Sequence, residues 1–352
     1  MSLKEYTELI KNQSLYPLLD IEKIIDQLYI IQLEFLHNYG VNDIFSNSKF
    51  YEIIIANQLN HKPIPGHSGS RDAEDKNGNQ YEYKHFKETS SNHSWTFNDY
   101  SDNLIDHMKD YKFIFAHIND KDYKYPGIMD WYYEVDGYII GNYLRRATKS
   151  IKNARKMINV SPNQLENLGC KKTYANLEKA KNYTGLFEKQ LVNISCISER
   201  LEKLTKVDKI LTSNKLYELL VAIKLNHYVN PEQGGREGAH DAKDRDMNTY
   251  EYKVYKSRTW HFQDISEAVL NKYYLDKKII LAVVDKTDLK VKEIYAVSPK
   301  DAVPKLKEKL QKKIDNLLKT GGILRRRQVS LSFTDIKAMP SFEILYIENE
   351  NE

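Results

Sequence analysis

The chain has 352 residues, 41% hydrophobic and 29% charged, which is room for about two ordinary domains and too apolar for a disordered chain. Its 53 basic and 49 acidic residues leave a net charge of +4, which admits an acidic partner without demanding one. No apolar run approaches the ~18 residues of a membrane span, and the start, Met1-Ser-Leu-Lys-Glu-Tyr6, carries charge where a secretion signal needs its apolar stretch. Cys170 and Cys196 match no zinc or CxxC spacing, so a cytoplasmic protein with reduced thiols and no membrane partner is expected.

In chain order, the first clear element is a helix carrying Glu52, with Phe50, Ile53 and Ile54 at helical spacing. The loop Gly66-His-Ser-Gly69 follows, then a strand, a turn and a second strand reaching Lys84. Next come a Trp95/Phe97 segment, a helix, the apolar strand Phe113-Ile-Phe-Ala116 and the strand Trp131-Tyr-Tyr-Glu-Val135. A basic amphipathic helix is expected over 144–158. Leu144, Ala147, Ile151, Ala154 and Ile158 form its apolar stripe, and Arg145, Lys149, Lys152 and Lys156 run beside it. The Lys/Asn-rich stretch from Lys171 to Asn182 reads as a connector or small helices.

From there the chain repeats itself. Residues 71–84, RDAEDKNGNQYEYK, agree at eight of fourteen positions with residues 240–253, HDAKDRDMNTYEYK. Upstream, Lys49-Phe-Tyr-Glu52 parallels Lys215-Leu-Tyr-Glu218; downstream, Trp95-Thr-Phe97 parallels Trp260-His-Phe262. The offsets are 166, 169 and 165 residues, so the length changes fall in loops, as in duplicated domains rather than a solenoid. The expected architecture is α/β: two tandem three-layer cores, each a mixed sheet flanked by helices, over 1–190 and 191–352.

The chemistry concentrates in the repeated hairpin. Lys76-Asn77-Gly78 suits a short hairpin loop with Gly78 in the left-handed position. Pairing then sets Asp72 opposite Glu82, strand alternation adds Lys84 to their face, and Tyr81 and Tyr83 point the other way. Asp241, Glu251 and Lys253 stand at identical spacing, although Met247 in place of Gly78 predicts a somewhat different turn. Two carboxylates this close repel unless a cation neutralises them, and their hard oxygens suit Mg²⁺ or Mn²⁺. A lysine beside them can help deprotonate a metal-bound water or stabilise charge developing on a phosphate. A lone Glu-X-Lys on a strand is more often a solvent-facing ion pair; the duplicated set is what gives the pattern weight.

This arrangement resembles the PD-(D/E)XK nuclease superfamily, in particular the cores of type II restriction endonucleases, over roughly 45–140 and 211–300. The motif residues are Asp72, Glu82, Lys84 and Asp241, Glu251, Lys253; Arg71 and His240 stand where the superfamily's name has proline. The resemblance implies a restriction-endonuclease-like fold, Mg²⁺-dependent attack of water on a phosphodiester, and an acidic residue on the first core helix that helps hold the metal, matched by Glu52 and Glu218. It points to a sequence-specific endonuclease of a restriction or defence system acting on double-stranded DNA. One chain with two sites is expected to work as a monomeric pseudo-dimer, each repeat cutting one strand. A structure-selective repair nuclease and a non-catalytic DNA-binding module derived from nuclease domains remain as alternatives.

Several other residues recur. His61 and His227 are expected to cap their helices, Trp95/Phe97 and Trp260/Phe262 to pack in cores, and Asp75 and Asp244 to make turn or strand hydrogen bonds. For DNA contact the candidates are Arg145, Lys149, Lys152 and Lys156, a lysine-rich helix over 303–319, and Arg325, Arg326 and Arg327.

Overall fold

In the computed structural model the described residues are 18–45, 49–64, 71–123, 126–151, 156–177, 186–208, 210–212, 214–231, 240–319 and 327–348. Two compact units emerge: Ile31–Cys196, and Ile197–Glu352 together with the chain up to Ile30. The divisions fall inside helix α1 (Leu18–Tyr39) and inside the helix Leu186–Thr205. Ile21, Ile24, Leu28, Ile31 and Phe35 of α1 are all buried, the three-four spacing of a helix with one apolar stripe.

In the unit Ile31–Cys196, α2 (Lys49–Leu59) precedes a short strand β1 (Lys62–Pro63) and the hairpin β2 (Ala73–Glu74) and β3 (Gln80–Lys87). Then follow β4 (Trp95–Tyr100), α3 (Asp102–His107), β5 (Lys112–Asn119), β6 (Ile128–Asp136) and α4 (Gly137–Ala147). The unit continues with β7 (Lys156–Val160), α5 (Pro162–Asn167), β8 (Lys172–Tyr174) and the first part of α6 (Leu186–Thr205). The sheet order is β1-β2-β3-β5-β6-β8, and β3 and β5 are its one parallel pair. Central β5 is buried along nearly its whole length, as a strand covered on both faces must be.

The other unit repeats this element by element. Its elements are α7 (Lys215–Leu225), β9 (Tyr228–Val229), β10 (Ala242–Lys243), β11 (Thr249–Tyr255), β12 (Thr259–Phe262) and α8 (Glu267–Tyr273), then β13 (Lys278–Asp285) and β14 (Lys290–Val297). It closes with α9 (Pro299–Lys319), β15 (Val329–Ser332), α10 (Phe333–Lys337) and β16 (Glu343–Ile347). The order β9-β10-β11-β13-β14-β16 is the same, again with one parallel pair, β11 with β13. The chain is thus mixed α/β with two six-stranded mixed sheets and flanking helices.

A second ribbon in each unit carries the repeated tryptophan. Trp95 of β4 faces Val160 of β7, and Trp260 of β12 faces Leu331 of β15. Both indoles are fully buried and donate to a central-strand carbonyl, Ala116 O and Ala282 O, at 2.9 Å each. Phe97 and Phe262 are buried beside them, the core role the sequence predicts. Each ribbon then runs into a helix through a capping box, at Ser161 and at Ser332.

That ribbon corrects the helix expected over 144–158. Helix α4 ends at Ala147, where Thr148 turns its hydroxyl back onto Leu144 O at 2.7 Å, and Lys156–Val160 is a strand. The apparent stripe ran from the end of a helix, Leu144 and Ala147, to the half-buried Ile158 of a strand. The stretch read as a connector also holds the edge strand β8. Among the described residues, no helix is long and apolar enough to cross a membrane.

Candidate active sites

Hairpin register positions the strand carboxylates. Ala73 faces Tyr81, and Asp72 N–H donates to Tyr81 O at 2.9 Å, which sets Asp72 beside Glu82 as the spacing predicts. In the second copy Ala242 faces Tyr250, and Asp241 N–H reaches Tyr250 O at 3.1 Å. The different turn expected from Met247 is not found. Met247 takes a φ of 65°, beside 79° at Gly78, and its N–H closes the same turn onto Asp244 O at 3.1 Å. Asp244 ties that turn by accepting from the Asn248 N–H and side-chain amide at 2.9 and 2.8 Å. Asp75 does the same with Asn79, whose amide is the main cause of a carboxyl pKa lowered to about 2.

Each hairpin aspartate is pinned by one oxygen. Strand β2 has only two residues, so the Tyr83 N–H lies past its end, and Asp72 Oδ2 accepts it at 2.7 Å in place of a strand carbonyl. Asp241 Oδ2 accepts the Tyr252 N–H at 2.8 Å in the same way. The remaining oxygen, Oδ1, meets a lysine that the sequence reading did not single out. Lys49 Nζ lies 2.9 Å from Asp72 Oδ1 and 2.6 Å from Glu52 Oε2. Lys215 Nζ lies 2.5 Å from Glu218 Oε2 and 3.4 Å from Asp241 Oδ1. The available signal was the shared Lys-X-Tyr-Glu at the head of both helices.

The strand lysines stay with their own glutamates. Lys84 Nζ is 2.6 Å from Glu82 Oε1, and Lys253 pairs with Glu251. Their ammonium groups lie over the repeated phenylalanines, with Nζ 5.8 Å from the Phe97 ring centre and 5.5 Å from that of Phe262. The residue before each aspartate differs between copies. Arg71 stacks 3.5 Å over Tyr111 and comes within 3.4 Å of Glu82. His240 Nδ1 instead lies 2.6 Å from Oδ1 of the buried Asp276.

Burial and like charge act together on these carboxylates. Burial, with the Glu52 charge adding, raises the Asp72 pKa. Burial raises Glu218, with Asp241 next, and it raises Glu251, where Lys253 offsets part of the effect and Asp241 adds to it. For Lys49, Lys215 and Lys253 burial opposes the ammonium, but the neighbouring carboxylates outweigh it and raise the pKa. Helix glutamate, hairpin aspartate and strand glutamate therefore share one electrostatic pocket in the second copy, and Glu52 and Asp72 do so in the first.

Among the described residues no three His, Cys, Asp or Glu side chains are gathered tightly enough to chelate a metal by themselves. The side chains that could hold a hard ion keeping several of its waters are Asp72, through Oδ1, and Glu82, or Asp241, through Oδ1, and Glu251, with Glu52 or Glu218 as acidic neighbours.

The other candidates separate. His61 and His227 do not cap carbonyls through their rings; Nδ1 meets Tyr83 Oη at 2.8 Å and Tyr252 Oη at 2.7 Å. Lys156 is buried and lies 2.6 Å from Asp102, which removes it from the polyanion surface. Arg145 pairs with Asp106, while Lys149 is exposed in the turn after α4. On α9, Lys305 and Lys312 share Glu308, Lys307 pairs with Glu267, and Lys309 with Asp335. Arg327 is exposed; Lys152, Arg325 and Arg326 lie outside the described residues.

Against known proteins, the chain matches no family model and no curated sequence.

Proposed function

We propose that the protein is a metal-dependent deoxyribonuclease of the restriction-endonuclease type, with one phosphodiester-hydrolysing site in each repeat. The observation that carries this reading is the doubled constellation. Two copies hold an aspartate pinned by a strand N–H, a glutamate opposite it, a lysine on that glutamate and an acidic residue on the neighbouring helix. An isolated ion pair on a strand would not keep four partners together twice.

In this reading a bound Mg²⁺ or Mn²⁺ ion would supply a more acidic water and polarise the phosphate. Asp72 and Glu82, or Asp241 and Glu251, hold the cation, with Glu52 and Glu218 as further acidic neighbours. Lys84 and Lys253 orient the attacking water and stabilise charge on the phosphate oxygens. Arg145, Lys149 and Arg327, with Lys152, Arg325 and Arg326, are candidates for contact with the DNA backbone. One chain then acts as a pseudo-dimer, each repeat cutting one strand of the duplex.

Purified protein is expected to cut mixed-sequence plasmid at discrete positions with Mg²⁺ and not with EDTA. Lys84→Ala and Lys253→Ala should each turn the enzyme into a nickase, for opposite strands, with the affected strand cut about 10²–10³-fold more slowly. Binding without any cutting would support the non-catalytic module instead.

A further inference from the structure

We infer that Lys49 and Lys215 are built-in counter-cations. Each holds the cation's place in its pocket until a divalent ion displaces it, so the sites are stable without metal and take it up weakly and reversibly. This rests on the metal-dependent reading above.

Each hairpin aspartate has a single oxygen to offer, because Oδ2 is committed to the Tyr83 or Tyr252 N–H. That remaining oxygen, Oδ1, is the one the lysine ammonium meets, at 2.9 Å for Lys49 and 3.4 Å for Lys215. The same ammonium contacts the helix glutamate behind it, at 2.6 and 2.5 Å. It therefore sits on the one aspartate oxygen that a metal ion held by the hairpin pair would need. Ammonium and metal ion would compete for one oxygen atom.

The lysine side chains are only 12% and 11% exposed, so the charge is desolvated and held by these partners rather than by water. Removing such a cation leaves buried negative charge less well balanced. An ion that binds Asp72 Oδ1 restores the balance, and the four-carbon lysine stem has the rotatable bonds to withdraw. Lys84 and Lys253 are poorly placed for this task, since each is held on the glutamate of its own strand.

The test uses the full chain without DNA. Mn²⁺ is titrated calorimetrically into the wild type and into the Lys49→Gln/Lys215→Gln double variant, and melting is followed in EDTA and in Mn²⁺. The double variant should bind the ion at least about tenfold more tightly, melt lower than wild type in EDTA, and gain more from the ion. Equal or weaker binding by the variant, with wild-type binding intact, overturns the inference and leaves the metal reading standing. No binding by either protein overturns both.

Should the variant not fold, the wild type decides the matter. Its Lys49 and Lys215 Nζ signals, assigned with Lys→Arg variants and observed by ¹⁵N magnetic resonance, should shift or exchange faster as Mg²⁺ is added. Unchanged signals at saturating ion would sink the idea.

Discussion

Asp72 serves two masters. Its Oδ2 completes the hydrogen bonding of β3 beyond the end of β2, while Oδ1 faces the charged pocket. Replacing it tests structure and chemistry together unless the acceptor is kept. Asp72→Ala should cost about 1–3 kcal/mol by leaving the Tyr83 N–H without its acceptor. Asp72→Asn keeps an oxygen there and should cost less, while both abolish metal binding at that site. Urea unfolding of the two variants separates the effects, and equal losses would mean that the pinning bond is dispensable.

His227 gives the pH dependence at the same scale. Its ring stacks 4.2 Å from Tyr250, its Nδ1 meets Tyr252 Oη, and burial lowers its pKa to about 4. The unfolded chain takes up a proton near 6.5, whereas the folded one does not. This contribution is therefore complete above about pH 6.5 and is lost as pH falls toward 4. Urea midpoints should drop less between pH 7 and pH 5 in His227→Gln than in the wild type; an identical drop would assign the acid sensitivity elsewhere.

Among the elements, the two hairpins are the same device built with unequal turn residues. Gly78 pays little for a φ of 79°, and a Cβ there would meet nothing within 4 Å, so the turn is limited by backbone strain rather than by space. Met247 accepts a φ of 65° with a side chain that disfavours it. Met247→Gly should therefore stabilise the protein by about 0.5–1 kcal/mol, and Gly78→Ala should destabilise it by about 1 kcal/mol, both read from urea unfolding.

These hairpins were legible in the sequence because register follows from a few local residues: a turn, alternation, and a neighbour ten positions away. Strand β8 was not. Its three residues are all exposed, so no burial pattern marks them, and only pairing with distant β6 makes them a strand. The false helix over 144–158 arose because three-four spacing continued by chance across a helix end into a strand. In the site, Asp72, Glu82 and Lys84 were readable within one hairpin. The Lys49–Asp72 contact joins two elements 23 residues apart, and no local period encodes such a distance.

For the whole molecule, duplication is deeper in structure than in sequence. Recognisable identity reaches β4 and β12 and goes no further, yet β7 matches β15, α5 matches α10, and the edge strands β8 and β16 hold the same place in their sheets. Each unit has its own hydrophobic core, one around Trp95, Phe113 and Phe115, the other around Trp260, Ile279 and Leu281. Residues 31–196 expressed alone should therefore fold, with a single cooperative urea transition and near-ultraviolet dichroism from Trp95. A gradual, non-cooperative loss of signal would show that the remaining chain is needed for its stability.

Every strand of a six-stranded sheet lies within its own copy, between the helix bearing Glu52 or Glu218 and the edge strand Lys172–Tyr174 or Glu343–Ile347. Copying such a gene segment in tandem severs no ladder. Mutation in one copy's pocket need not unravel the other copy's sheet, so the two are free to drift apart at single positions while the framework persists. Arg71 against His240, and the partners each has acquired, are the visible start of that divergence.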